Sequence, residues 1–386
     1  MALEVENAPR ADDGAPAVSP TAQQVGLFSE ARRQVEICNA CRYCEGYCAV
    51  FPAITLKTAF ADGDLTQLAN LCHNCRGCYY ACQYTPPHEF ALNLPGVLAE
   101  VRTDSWRRFA WPTGFAGLFQ RSGAAVALAM VTGFALLFLA IAALPGGGAG
   151  FYAWMSHGAM VAIFTPAFLF PLLALAVGLN RYWREVGGDR VTWSDLAEAA
   201  TSTARLSNLS GGQGQGCNYE KEERYSDARR WLHQATMYGF LLCFLSTCSA
   251  TVLHYVFDWP APYPWWAVPK LLGVPGGILL VAGAAGLAWL KTQAERELEA
   301  PGAWGGDMAF ILLLGLTGLS GLALYWSTGT AAVGPLLTVH LGAVLALFLL
   351  TPYSKMAHGF YRFAALVRDA QIKSGRLAVG NEQRQR

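Results

Sequence analysis

The sequence predicts a mainly α-helical protein: a small cysteine-rich helical domain followed by a bundle of six transmembrane helices. Three observations carry that expectation. Eight of the 11 cysteines fall between residues 38 and 82, in two runs of identical spacing. The 386-residue chain is 53% hydrophobic and 14% charged, against ~25% charged for an ordinary soluble domain. The hydrophobic excess lies after residue 120, in six separate apolar stretches.

The runs read Cys38-Asn-Ala-Cys41-Arg-Tyr-Cys44-Glu-Gly-Tyr-Cys48 and Cys72-His-Asn-Cys75-Arg-Gly-Cys78-Tyr-Tyr-Ala-Cys82. Each is C-x2-C-x2-C-x3-C, the spacing that holds a 4Fe–4S cubane. Three thiolates two residues apart wrap three iron corners in one loop, and the fourth ligand must come from another direction. In two-cluster ferredoxins the fourth Cys of each run ligates the other cluster. The expected ligands are Cys38, Cys41, Cys44 and Cys82 for one cluster, and Cys72, Cys75, Cys78 and Cys48 for the second. Disulfides would need an oxidising compartment, and there is no secretory signal peptide. Structural zinc shows two Cys pairs across a longer gap. Eight cluster cysteines place this domain in a reducing cytoplasm. Cys217, Cys243 and Cys248 lie outside the runs. A net charge of +1 gives no indication of nucleic-acid binding.

In chain order, residues 1–29 read as a disordered leader, rich in Ala, Pro, Asp and Glu with no apolar period. Residues 30–101 form the two-cluster domain. Between the runs, Leu65, Leu68 and Leu71 fall at helical spacing without β-branched alternation, which favours a helical ferredoxin-like domain over a β-hairpin one. Pro52 and Pro86 restrain the chain leaving each run. Tyr43, Tyr47, Tyr79 and Tyr80 lie between the ligands, where aromatic rings would shield the clusters from water. His73, inside the second run, reads as a supporting donor or a surface residue. Residues 102–121 interleave Arg102, Arg107, Arg108 and Arg121 with Trp106, Phe109 and Trp111, as an interfacial segment entering the bilayer would.

The membrane domain covers 102–356. Its apolar stretches, 122–144, 158–179, 234–256, 270–290, 308–327 and 334–353, are each near the ~20 residues that span a bilayer. The 145–156, 257–269 and 328–334 connections contain no Lys or Arg. The 180–233 loop contains Arg181, Arg184, Arg190, Arg205, Lys221, Arg224, Arg229 and Arg230, and the tail adds Lys355, Arg362, Arg368, Lys373 and Arg376. The positive-inside rule then puts both termini, the long loop and the cysteine domain in the cytoplasm. Trp259, Tyr263, Trp265 and Trp266 form an aromatic belt on the far side. The segment 357–386 is a cytoplasmic tail.

Five of the seven histidines lie in or beside spans: His157, His233, His254, His340 and His358. An intramembrane His is by default a functional candidate. His233 and His254 lie at opposite ends of the third span, 21 residues and about 31 Å apart. His340 and His358 lie toward opposite ends of the sixth, if that helix runs on through Tyr353. This offers His233 with His358 near the inner face and His254 with His340 near the outer, with His157 as alternate to His254. Two axial His on facing helices hold a b-type haem, so two haems are expected. No C-x-x-C-H is present for c-type attachment. The Gly-rich loop at 211–216 follows no strand, which rules against a Rossmann or P-loop reading. No Ser/His/Asp or paired-carboxylate arrangement suggests hydrolysis.

The doubled Cys runs, the Gly-Gly-x-Gly-x-Gly-Cys217-Asn218-Tyr219 loop and Arg229-Arg230-Trp-Leu-His233 before the third span together resemble the tricarballylate (citrate) utilization protein B family, over residues 30–375. The membrane half also resembles the haem-b subunit of respiratory nitrate reductases, at the positions of His340 and His358. The first resemblance implies a bacterial cytoplasmic-membrane protein. It would take electrons from a soluble FAD-dependent dehydrogenase that oxidises tricarballylate and pass them to the quinone pool. The rival expectations are a membrane-bound iron–sulfur/haem redox sensor, against which the short tail speaks, and a heterodisulfide-reductase-like subunit of another respiratory complex.

Overall fold

The structure, a computed structural model, describes residues 20–142, 154–211, 214–218 and 224–375. It is almost wholly helical. Among the described residues the only β pairing is a single bridge between Cys217 and Ser226.

The cysteine domain is built from α1 (Pro20–Cys41), α2 (Val50–Thr55), α3 (Asp62–Leu71), α4 (Gly77–Tyr80) and α5 (Leu94–Phe109). The expected leader is therefore shorter at its C-terminal end: α1 begins at Pro20, and residues 1–19 lie outside the described residues. The apolar side of α1 explains this, because Phe28, Ala31 and Val35 are buried in the domain core. α3 buries Leu65, Leu68 and Leu71, the helical triplet read from the sequence. Asn93 caps α5 by accepting from the Gly96 backbone N–H (3.0 Å), with Pro95 beginning the helix, a combination that satisfies orphan donors at a helix start.

Six helices are long and apolar enough to cross a membrane. They are α6 (Thr113–Ala142), α7 (His157–Glu185), α9 (Ala228–Val256), α10 (Val268–Gln293), α11 (Ala303–Trp326) and α12 (Val333–Leu350). Between α7 and α9 lies the amphipathic α8 (Trp193–Arg205), and after α12 comes α13 (Ala357–Lys373). α9 pairs with α10, α10 with α11, and α11 with both α6 and α12; α7 packs on α12. α13 folds back onto α3, α7 and α8, fixing the cysteine domain to one end of the bundle.

Two segments differ from the sequence reading. The 102–121 stretch is not an interfacial ramp. Its first part, 102–109, closes α5, where Arg102 is buried and Trp106 Nε1 donates to Asn70 Oδ1 (2.9 Å), and its last part, 113–121, is already in α6. Arg108 is held by Asp104 and by Glu185 at the end of α7. Partners within the protein satisfy Arg102, Trp106 and Arg108, so these need no headgroups. The sixth span does not run on to His358. α12 ends at Leu350, and Pro352, which has no N–H to continue the ladder, sits in the turn before α13.

Small residues let α9 and α10 approach closely. A Cβ added at Gly239 would lie 2.5 Å from Leu280 N and 2.8 Å from Gly276 O. We expect Gly239→Leu to separate the pair at a cost of roughly 1–3 kcal/mol. Its thermal midpoint in detergent should fall, whereas Gly117→Leu, at a position with nothing within 4 Å of an added Cβ, should leave the midpoint unchanged.

Candidate redox centre

The two Cys runs differ locally, the first beginning in the last turn of α1 and the second in the extended segment between α3 and α4. The residue after the second Cys of each run, Arg42 and Arg76, adopts positive φ (57° and 67°), as does Asn74 (51°). Left-handed backbone at non-Gly residues costs energy and marks a built site. Two N–H groups also point at sulfur: Asn74 N–H donates to Cys72 Sγ and Tyr84 N–H to Cys82 Sγ, each at 3.4 Å. Such bonds stabilise thiolate.

The eight thiols gather in two neighbouring groups. Cys38, Cys41, Cys44 and Cys82 line one cavity of about 310 Å³, and Cys78 stands in its wall toward the second group. Burial, then the neighbouring Cys44, Cys82 and Cys41, pushes the Cys38 thiol up to about 12. Burial, then Cys75 and Cys72, pushes Cys48 well above its usual range. Cys78 is raised by burial, then by Cys75, Cys72, Cys48 and Cys44. The fourth Cys of each run thus lies with the first three of the other. Thiols so placed cannot all ionise unless a cationic centre compensates them. Among the described residues, no three His, Cys, Asp or Glu are close enough to hold a single metal ion. A four-iron cube holds its thiolates farther apart than one ion with ~2.3 Å metal–sulfur bonds does, so the donor set fits a cluster. The expected tyrosine shield is uneven: Tyr43 and Tyr79 both line the cavity, but Tyr43 is 69% exposed.

The second run is gripped by arginines that sequence reasoning had not connected to it. Arg102 donates to the Ala69 and Cys72 carbonyls (3.2 and 2.8 Å). Arg229 donates to the Asn74 and His73 carbonyls (2.6 and 3.2 Å). Arg362 donates to the Cys72 carbonyl (2.8 Å), and its Nε is buried without a hydrogen-bond partner. Burial, then repulsion from Arg102, lowers Arg362 to about 9, so it stays charged at neutral pH. Arg76 is 0% exposed and pairs with Glu299 (3.3 Å). Glu299 meets Lys291, Lys291 meets Asp307, and Asp307 meets Lys355 (2.8, 3.4 and 2.6 Å). The buried Arg76, Arg102 and Lys291, with the half-buried Arg229, Arg362 and Lys355, make an environment suited to an anionic group.

His233 and His358 come together at the same end of the bundle, their ring centres 5.9 Å apart and their planes at 89°. Two imidazoles on one iron, with ~2 Å bonds, hold their ring centres roughly 6 Å apart, so this pair fits a haem iron. His358 Nδ1 lies against the Lys355 carbonyl, which fixes Nδ1 as the donor and leaves Nε2 as the ligating atom. Burial, then Arg362, holds His358 well below its usual range and keeps it neutral. His254 lies not against His340 but against His157, their rings stacked at 4.7 Å and 17°. That spacing has no room for iron between the rings. His157 Nε2 also meets Tyr255 OH (3.1 Å). His340 Nδ1 is 3.1 Å from Ser320 Oγ, which itself bonds the Thr317 carbonyl. His73 is buried, with Nδ1 at 2.9 Å from the Leu71 carbonyl.

Fold and site together define a polytopic helical membrane protein with a ferredoxin-type cysteine domain at one end. The sequence matches the family model "Citrate utilization protein B" over residues 116–378 and "Citrate utilization protein B Fer4-like domain" over 31–108. Citrate utilization protein B of Escherichia coli is 43% identical over 346 residues, covering 88% of this chain and 91% of that one. The chain belongs to the citrate utilization protein B family. No solved structure matches it.

Two outcomes are expected. Arg229→Ala should cost roughly 1.5–3 kcal/mol, the worth of hydrogen bonds to a charged group, and raise amide exchange selectively at residues 72–76. A folded-state His pKa below its unfolded value makes stability full above about pH 6.5 and lost as pH falls below it. The thermal midpoint should therefore drop between about pH 7 and pH 5.5, and His358→Phe should flatten that slope.

Proposed function

We propose that the chain is a membrane electron conduit. It accepts electrons from the reduced flavin of a soluble FAD-dependent dehydrogenase and delivers them to the quinone pool. Cys38, Cys41, Cys44 and Cys82 would hold one 4Fe–4S cluster, and Cys48, Cys72, Cys75 and Cys78 a second. His233 and His358 would hold a haem b. Bound there, these groups supply one-electron carriers between a two-electron flavin and a quinone.

One observation carries the proposal. Arg229 lies one turn before His233 on α9, and Arg362 one turn after His358 on α13. Both hydrogen-bond the carbonyls of Cys72–Asn74. The helices bearing the candidate haem ligands are therefore tied to the second cysteine loop itself. A merely structural histidine pair would not need that coupling. The Lys and Arg distribution supports a cytoplasmic position for this end, where a soluble flavoprotein could dock. The relative's name speaks of citrate utilization, and a tricarballylate dehydrogenase-like donor is consistent with that substrate class.

Anaerobic membranes reduced with dithionite should show a b-type α-band that a ubiquinone or menaquinone analogue reoxidises. A band left reduced by quinone would sink the conduit and favour a sensor. Cys75→Ser should remove one cluster EPR signal while sparing the α-band. His358→Ala should remove the α-band while sparing both cluster signals. Unchanged spectra in either variant would sink that ligand assignment.

A further inference from the structure

The loop between α8 and α9 takes no part in the assignments above, yet it is pressed onto the second cysteine run. Cys217 is buried with Leu206 and Leu209 against Cys75, and its thiol donates to the Leu209 carbonyl (3.2 Å). Two backbone bonds of 2.9 Å pair Cys217 with Ser226. Gly216, at φ 95°, makes that pairing possible: a Cβ there would lie 2.4 Å from Ser226 O. Asn208 Oδ1 accepts from the Ala49 N–H (3.1 Å), directly after Cys48. The loop is thus anchored to both runs before Asn218 is considered.

Asn218 has the unusual environment. Its backbone N–H donates to the Cys75 carbonyl (3.0 Å). Its side chain is 0% exposed, yet neither Nδ2 nor Oδ1 has a hydrogen-bond partner. Oδ1 lies 3.6 Å from where a Cβ on Gly77 would stand, so the amide covers the short segment between Cys75 and Cys78. A buried amide without a partner is costly, and the anchors on either side hold it in place. Gly77, which the amide covers, lies between Cys75 and Cys78, so a cluster held by those residues would bring sulfur acceptors to this place.

We propose that Asn218 donates an N–H from Nδ2 to a sulfur of the second cluster and so raises that cluster's reduction potential. It is a positioning residue for an electron carrier rather than a ligand. The inference rests on the reading that Cys48, Cys72, Cys75 and Cys78 hold that cluster. A hydrogen bond to sulfur stabilises the more negative, reduced state, and hydrogen bonds to the sulfurs are among the determinants of cluster potential.

The test is an EPR-monitored redox titration of the purified full-length protein in detergent, comparing wild type with Asn218→Leu and Asn218→Asp. Leu keeps the volume and removes the donor; Asp keeps the shape and puts a carboxylate in its place. Both variants should retain wild-type iron content and lower the midpoint of one cluster signal, leaving the other where it was. Retained iron with both midpoints unmoved in Asn218→Leu overturns the proposal. If Asn218→Leu loses iron, Asn218→Asp decides by the same criterion. Iron loss from both variants also overturns it, since the amide would then be a prop and not a tuner. A wild-type protein with only one cluster signal would instead refute the underlying ligand reading, and the two failures are thereby told apart.

Discussion

The structure depends on a concentration of buried and half-buried positive charge around one short loop. Arg102, Arg229 and Arg362 reach Cys72–Asn74 from α5, α9 and α13, and all three end on carbonyl oxygens. Carbonyls satisfy the donors but do not neutralise the charge. The chain from Arg76 through Glu299, Lys291, Asp307 and Lys355 adds three cations and two anions beside it. Buried charge of one sign is expensive unless it is compensated. A tetrathiolate cluster is anionic, so one held by the second cysteine run would sit in a favourable field. The cations in turn favour thiolates that burial and mutual repulsion would keep protonated. Cysteine loop and bundle end are in this sense one electrostatic unit.

That unit explains which parts of the sequence were legible. Cysteine spacing is a local constraint, set by the geometry of one ligand loop, and apolar length is set by bilayer thickness. Both are therefore visible without knowing the fold. The arginine partners are not local. Arg362 meets Cys72 across 290 residues, and Arg229 meets Asn74 across 155. In sequence, Arg102 beside Trp106 looks like a headgroup anchor, because nothing nearby shows that the Cys72 carbonyl will take up the guanidinium and Asn70 the indole N–H. Asn218 left one faint signal, its place directly after Gly216 and Cys217, but a buried amide with no protein partner has no sequence pattern of its own.

The histidines show the same division. Depth was legible, since spans fix which His is near which face, and His233 does meet His358. Pairing near the other face was not legible, because it depends on which helices touch. α9 reaches the rest of the bundle chiefly through α10, and at its far end His254 meets His157 at the start of α7 instead of His340 on α12. His340 is drawn to Ser320 on the neighbouring α11. The break at Pro352 matters here as well. It lets the chain turn before α13, and that turn presents the Lys355 carbonyl to His358 Nδ1.

These placements bear on what transfer through the chain can do. The His233–His358 pair, Cys72–Asn74 and the Lys355–Asp307 pair all lie at the end of the bundle that carries the cysteine domain. The His157–His254 pair at the other end is closed by ring stacking at 4.7 Å. A carrier between those rings would require α7 and α9 to part. On the proposed conduit reading, and without that movement, electrons entering at the cysteine domain would meet a suitably spaced histidine pair only near the same face. Transfer confined to one face moves no charge across the bilayer, and the free energy released on passing electrons to quinone would not itself be stored as membrane potential by this chain.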